Sequence, residues 1–343
     1  MKKITSIFLA LVLVMTALLS MPLSASAQEV FGDYEYNVLE DGTVEITDYI
    51  GFGEDIVIPS VIDGKAVTSI GWTAFYGRES LKNVVISEGI KHIGYAAFYA
   101  CFNMHSVTLP ESLLTIATSA FSYMGLQGDI IIPSGVTSLG DDSPFWRTDL
   151  DNIFVDEENQ FYKDIDGVLF DKSGEQLIKY PSGNSRTSYT IPNGTKGIAA
   201  WAFLFSDNLT EIIFSNSITE IEHEAFFGCA FLKNFAISAS VTNIGENAFG
   251  YSHNYDKIDG VKIYCYENTV AHQYAIENEI EFELLICREH SDKNGDGKCD
   301  DCNADVISNT CACCSKHNHG NNIIDKILCF ICRILQILNR LFA

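Results

Sequence analysis

The chain has 343 residues, enough for one or two ordinary domains or one elongated array. Its 47% hydrophobic content can fill a sizeable core, while 45 acidic against 22 basic residues give a net charge of −23. A surface of that sign repels phosphate backbones, so no nucleic-acid partner is expected; it favours solubility and would attract cations or a basic partner.

The chain opens with Lys2 and Lys3, an apolar run from Ile4 to Leu19, and small residues at Ser24-Ala25-Ser26-Ala27. That order predicts a secretory signal peptide over 1–27, cleaved after Ala27, and not a retained membrane helix. Loss of the two lysines takes the mature charge to about −25.

Next comes a 23-residue repeat, the dominant signal in the sequence. A small residue followed by an aromatic recurs at Ala74-Phe75, Ala97-Phe98, Ala120-Phe121 and Pro144-Phe145, then at Ala202-Phe203, Ala225-Phe226 and Ala248-Phe249. Val84-Val85-Ile86-Ser87, Val107-Thr108-Leu109-Pro110 and Ile130-Ile131-Ile132-Pro133 keep the same period, as do Tyr189-Thr190-Ile191-Pro192, Ile212-Ile213-Phe214-Ser215 and Phe235-Ala236-Ile237-Ser238. A third marker recurs at Ile70-Gly71, Ile93-Gly94, Ile116-Ala117, Leu139-Gly140, Ile221-Glu222 and Ile244-Gly245.

Short stretches rich in Val, Ile and Thr, bounded by Pro, Ser, Gly or Asn, are strand signals. Proline after a strand ends its ladder because it has no N–H to donate. One such unit cannot bury its own apolar face, so equivalent units must stack. The expectation is a solenoid of about seven coils, with a long parallel sheet along one side and strands ~4.8 Å apart. Its core would be a column of Phe75, Phe98, Phe121, Phe203, Phe226 and Phe249.

The run Ile86…Ile93-Gly94-Tyr95-Ala96-Ala97-Phe98-Tyr99-Ala100-Cys101 resembles the BspA-like leucine-rich repeat family, a group of bacterial surface proteins. The resemblance covers roughly 31–285, within an array domain of 28–285. Asp41-Gly42-Thr43-Val44-Glu45-Ile46-Thr47 is similar to the family's opening cap. Asp166-Gly167-Val168-Leu169-Phe170 through Tyr180-Pro181 is similar to its hairpin insert, near 155–188. Val261-Lys262-Ile263-Tyr264 through Asn278 is similar to its closing cap. Membership implies a leucine-rich-repeat-like solenoid that is secreted, non-enzymatic and cell-surface associated. It implies adhesion or ligand binding, with a host or microbial surface protein or glycan as partner. Ser replaces Pro at 87, 215 and 238, and Asp141-Asp142-Ser143 disturbs the fourth unit.

Cys101 and Cys229 share a phase three residues after the repeat Phe, but lie 128 residues and several coils apart, so they read as buried thiols and not as a disulfide. No Gly-x-Ser-x-Gly, phosphate loop or His-Glu-x-x-His is present, and no catalytic residue is assigned. His92 and His105 are isolated, His223-Glu224 lacks a second histidine, and Glu157-Glu158 falls in a turn. Trp72, Trp146 and Trp201 lie near the repeat Phe positions; partial burial is expected of each, ahead of a carbohydrate-stacking role.

Composition shifts after Leu285, where eight of the eleven cysteines lie from Cys287 onward. Cys287-x-x-His290 and Cys299-x-x-Cys302 have the spacing of two zinc half-sites. Overlapping them, Asp292, Asn294 and Asp296 followed by Gly297 have the oxygen spacing of a calcium loop, although Asn303 stands where a bidentate acid is expected. Zinc, calcium, disulfides and a spacer remain alternatives for 286–320; no cofactor is expected for the solenoid. Over 321–343, Ile323, Ile327, Phe330, Ile331, Ile334, Leu338 and Leu341 share one helical face, with Lys326, Arg333 and Arg340 opposite. This amphipathic helix is expected to lie at an interface, tethering the protein to the envelope, or to dock on a partner or the solenoid's own end. The alternative function is a structural or assembly component whose C-terminal metal module docks partners.

Overall fold

The computed structural model describes residues 29–141 and 143–286. The leader, the Cys/His/Asp-rich segment with Cys287, His290, Asp292, Asn294, Asp296, Cys299 and Cys302, and the amphipathic segment 321–343 lie outside the described residues.

Each coil makes two short straight runs joined by turns, and each run pairs in parallel with its equivalent one coil away. On one side, Asp55–Ile58, Asn83–Ile86 and Ser106–Thr108 pair in order. Their alternation is plain in Val84 and Ile86, which are buried, against exposed Asn83 and Val85. On the other side, Lys65–Ile70, His92–Ile93 and Thr115–Ile116 pair in parallel, with Val44–Tyr49 ahead of them. The opening cap is an antiparallel meander of Glu29–Phe31, Tyr34–Val38 and Val44–Tyr49. The closing cap is a parallel pair, Lys262–Cys265 and Glu281–Leu284, connected by the helix Val270–Glu277, whose start is capped by the Thr269 side chain.

The expected long sheet along one side is therefore corrected to two ladders on different sides of the coil: the one through Lys65–Ile70 divides once, near the middle, and the one that starts at Asp55–Ile58 divides into four short sheets. Each coil has two extended runs, so two ladders form. Ser138 keeps only an isolated bridge to Thr115 where Asp141 and Ser143 follow. The three-stranded meander Tyr162–Ile165, Val168–Asp171 and Gln176–Lys179 then separates the halves, and parallel pairing resumes through Gly197–Ile198, Glu220–Ile221 and Asn243–Ile244.

The aromatic rings form two stacks. Tyr49, Phe75, Phe98, Phe121 and Phe145 follow one another with centroids 5.2, 4.7, 5.3 and 6.0 Å apart. Tyr180, Phe203, Phe226 and Phe249 follow at 5.2, 4.6 and 5.1 Å, and Tyr274 of the helix closes the second stack edge-on at 5.9 Å. All these phenylalanines are at most 1% exposed. The spacing has a backbone cause. The amide of each ring residue donates to the carbonyl of the small residue before the next ring: Phe75 to Ala97 at 2.7 Å, Phe98 to Ala120 at 2.8 Å, Phe203 to Ala225 at 2.8 Å. The small residue is squeezed between coils, which is why alanine recurs there. In six coils the residue two before the ring, namely Thr73, Ala96, Ser119, Trp201, Glu224 and Asn247, takes positive φ.

The meander splits the core. Leu169 packs with the first half, whereas Val168 and Phe170 pack with the second. Buried Asn159 ties the meander to the preceding coil. Its Nδ2 donates to Pro133 O and Val136 O at 2.9 Å each, and its Oδ1 accepts from the Phe161 and Tyr162 amides at 2.8 Å. Where serine stands for proline, the hydroxyl makes the turn itself: Ser215 Oγ accepts from Ser217 N and Ser238 Oγ from Ser240 N, both at 3.1 Å.

Candidate binding surfaces

The first surface is the outward face of the ladder that starts at Asp55–Ile58. Because side chains alternate, the residue between two buried ones points outward, and register lines these residues up coil upon coil. Val57 pairs with Val85, Val85 with Thr108, and Ile131 with Phe154. Val57 and Ile131 are 61% and 62% exposed, and Val85, Thr108 and Phe154 are also exposed. Two residues earlier runs a polar column, internally hydrogen bonded: Asn83 Nδ2 donates to Asp55 Oδ1 at 2.6 Å, Ser106 Oγ to Asn83 Oδ1 at 2.6 Å, and Asn152 Nδ2 to Asp129 Oδ1 at 2.7 Å. The result is a strip in two paired segments, mostly apolar along one line and polar along the next, with side chains held in register by the backbone within each segment.

The second surface is the turn edge outside the phenylalanine stacks. Tyr76 lies parallel on Tyr99, followed by Tyr123, Trp146, Trp201 and His223 with centroids 4.6 to 6.1 Å apart. This ridge is unbroken where the inner column stops, because Trp146 and Trp201 come from opposite sides of the meander. Arg147 sits over Tyr123 at 4.7 Å and over Phe205 at 4.4 Å, spanning the same junction. Glu224 accepts from Trp201 Nε1 at 2.7 Å and from Tyr255 OH at 3.1 Å, and Tyr255 packs on Phe227 at 4.7 Å. Burial, then the neighbouring Glu224 carboxylate, raises the Tyr255 phenol above its ordinary range.

Trp146 and Trp201 are half-buried, but Trp72 is 70% exposed, which corrects the expectation of partial burial there. Its one ring neighbour among the described residues is Tyr95, met edge-on at 6.4 Å, whereas Trp146 and Trp201 each have ring neighbours on two sides.

Chemical groups are held in ways that suit packing. Cys101 Sγ donates to Phe75 O and Cys229 Sγ to Phe203 O, each at 3.0 Å and each buried. Burial pushes both thiols up to about 12, which leaves them protonated and unreactive. His92 is exposed and pairs with Thr115 Oγ1 at 2.9 Å. His223 lies edge-on to Trp201. Among the described residues no hydrogen bond joins a histidine to a serine or cysteine, and no group of three or more His, Cys, Asp or Glu is placed to hold a metal ion. No helix among the described residues is long and apolar enough to cross a membrane.

The buried column is legible in the sequence; neither surface is read from it. The signal for the first was present as the middle residue of each strand triplet, Val85 between Val84 and Ile86. The second has no single period, because Tyr76, Tyr99, Trp146 and Phe227 follow their ring by one residue whereas Trp201 precedes its ring by two.

No curated protein matches the chain. Among solved structures it is similar to a leucine-rich repeat protein from Eubacterium ventriosum, at 22% identity and TM-score 0.48 over 63% of this chain and 67% of that one. A leucine rich cell surface protein from Faecalibacterium prausnitzii follows at 22% and 0.46, over 76% and 95%. The pneumococcal vaccine antigen PcpA matches at 18% and 0.44, over 75% and 98%. The family model for the BspA type leucine rich repeat region matches in six copies across residues 51–173 and 181–281. With its stacked coils, its aromatic columns and that match over most of its length, the chain belongs to the BspA-type leucine-rich repeat family.

Proposed function

We propose that this protein is a secreted, non-enzymatic binding protein that recognises a protein partner through the ladder face of Val57, Val85, Thr108, Ile131 and Phe154, and that adhesion at a cell surface is its role. The observation that carries this reading is the in-register exposed apolar line beside a self-bonded polar line. Apolar side chains whose backbone is already ordered lose little entropy on contact, so an extended partner gains from every coil it crosses. The polar column is pre-ordered by its own side-chain hydrogen bonds, and its carboxylates keep acceptor sites free for a partner's N–H groups. The signal peptide supplies export, and the cationic amphipathic segment 321–343 supplies association with the envelope. In the same reading, 287–302 is a small module folded around zinc or calcium.

The test is capture of host and microbial surface proteins by the mature chain, repeated with Ile131→Lys/Phe154→Lys. These side chains lie on the outside, so the variant keeps its unfolding midpoint within a few degrees. Binding falls at least tenfold, about 1.4 kcal/mol. Capture that the double substitution leaves unchanged refutes the assignment of this face.

A further inference from the structure

The turn-edge ridge lies on another side of the coil from the ladder face, and its chemistry is different. Its rings meet at different angles: Tyr76 and Tyr99 are parallel to within 3°, whereas Trp146 meets Trp201 at 65° and Trp201 meets His223 at 86°, edge to face. The charge around the ridge is predominantly acidic, with Arg147 at the Tyr123–Phe205 junction and Lys257 as the neighbouring cations. Glu224 is fixed by Trp201 and Tyr255 through one bond to each oxygen, so the carboxylate is oriented before anything arrives. Glu246, Asp207 and Asp256 are exposed nearby. Among the described residues none of these four acids forms an ion pair with a lysine or arginine, and Lys257, next to Asp256 in sequence, is engaged by Glu279 at 2.6 Å. The ridge also shows which cation suits it, since the Arg147 guanidinium is seated between two of its rings.

We propose that the ridge formed by Trp201, His223, Glu224, Phe227 and Tyr255 docks an extended Arg- and Lys-rich segment of a partner protein. Guanidinium groups lie against exposed ring surface, as Arg147 does, while Glu224 and Glu246 take their N–H groups. Exposed Tyr255, at 58%, forms the open side of the seat. Complementarity to a chain of net charge −23 speeds encounter, and the aromatic seat supplies the locality that diffuse charge lacks.

The experiment titrates the mature protein with an oligoarginine peptide at physiological ionic strength, following tryptophan fluorescence. Glutamine peptide of the same length is the blank. Glu224→Gln removes the charge but keeps both contacts, its amide oxygen accepting from Trp201 Nε1 and its NH2 donating to the Tyr255 hydroxyl, and weakens binding by roughly five- to tenfold. Tyr255→Ala weakens it similarly. Glu211→Gln, on the ladder face, changes net charge identically and leaves binding within about twofold. Equal weakening by Glu224→Gln and Glu211→Gln, or no binding of oligoarginine above the glutamine blank, overturns the proposal. The variants' unfolding midpoints are measured alongside, and the comparison of Glu224→Gln with Glu211→Gln decides the matter if Tyr255→Ala fails to fold.

Discussion

Replacing Lys179 with methionine should stabilise the solenoid at neutral pH. Lys179 ends the third strand of the meander and stands where other coils place alanine, just before a column ring. It is 1% exposed, and its Nζ donates to Trp201 O at 3.1 Å. Burial lowers its ammonium from the ordinary 10.5 to about 8. That drop corresponds to about 3 kcal/mol by which the buried charge disfavours the folded state at pH 7. Methionine keeps the length and removes the charge. It also removes one hydrogen bond worth about 1 kcal/mol, although the Trp201 carbonyl retains the Leu204 amide at 3.1 Å. The expected net gain at pH 7 is about 2 kcal/mol. The sign with pH follows from proton counting. The folded value lies below the unfolded one, so between about 8 and 10.5 the unfolded chain binds more protons and wild-type stability rises with pH. Urea unfolding of both proteins from about pH 7 to 10 checks this, read as the difference between them so that tyrosine and cysteine titrations cancel. The advantage of Lys179→Met should shrink as pH climbs through that window. A variant less stable than wild type at neutral pH, or a difference that stays constant across the whole range, refutes the reasoning.

The remaining expectations concern the column and the meander. Phe98→Ala removes a ring held between neighbours at 4.7 and 5.3 Å and should cost about 3–5 kcal/mol, seen as a fall in the thermal midpoint of roughly 10 °C. A loss under about 1 kcal/mol would contradict close stacking. Asn159→Ala orphans the Phe161 and Tyr162 amides and the Val136 carbonyl, while the Pro133 carbonyl keeps the Val136 amide, and should cost about 2–4 kcal/mol, with hydrogen exchange rising first across 155–179. Uniform loss of protection over both halves would count against a local tie.

The sequence alone determined the repeat, its period, the strand runs and the inward ring of each coil. Those are local properties: two-residue alternation and a fixed 23-residue spacing leave one way to bury Phe75, Phe98 or Phe226. It also marked the disturbed fourth unit at Asp141 and the serine-for-proline turns. What it left open depends on neighbours distant in the chain. That Tyr49, Tyr180 and Tyr274 close the two stacks follows from which coil comes first or last, not from any repeat motif. That Trp146 meets Trp201, Arg147 bridges Tyr123 and Phe205, and Glu224 joins Trp201 to Tyr255 follows from how the meander lets the halves meet. Residues at different phases of the repeat become neighbours only when coils stack, and stacking is decided by burial summed over the whole array.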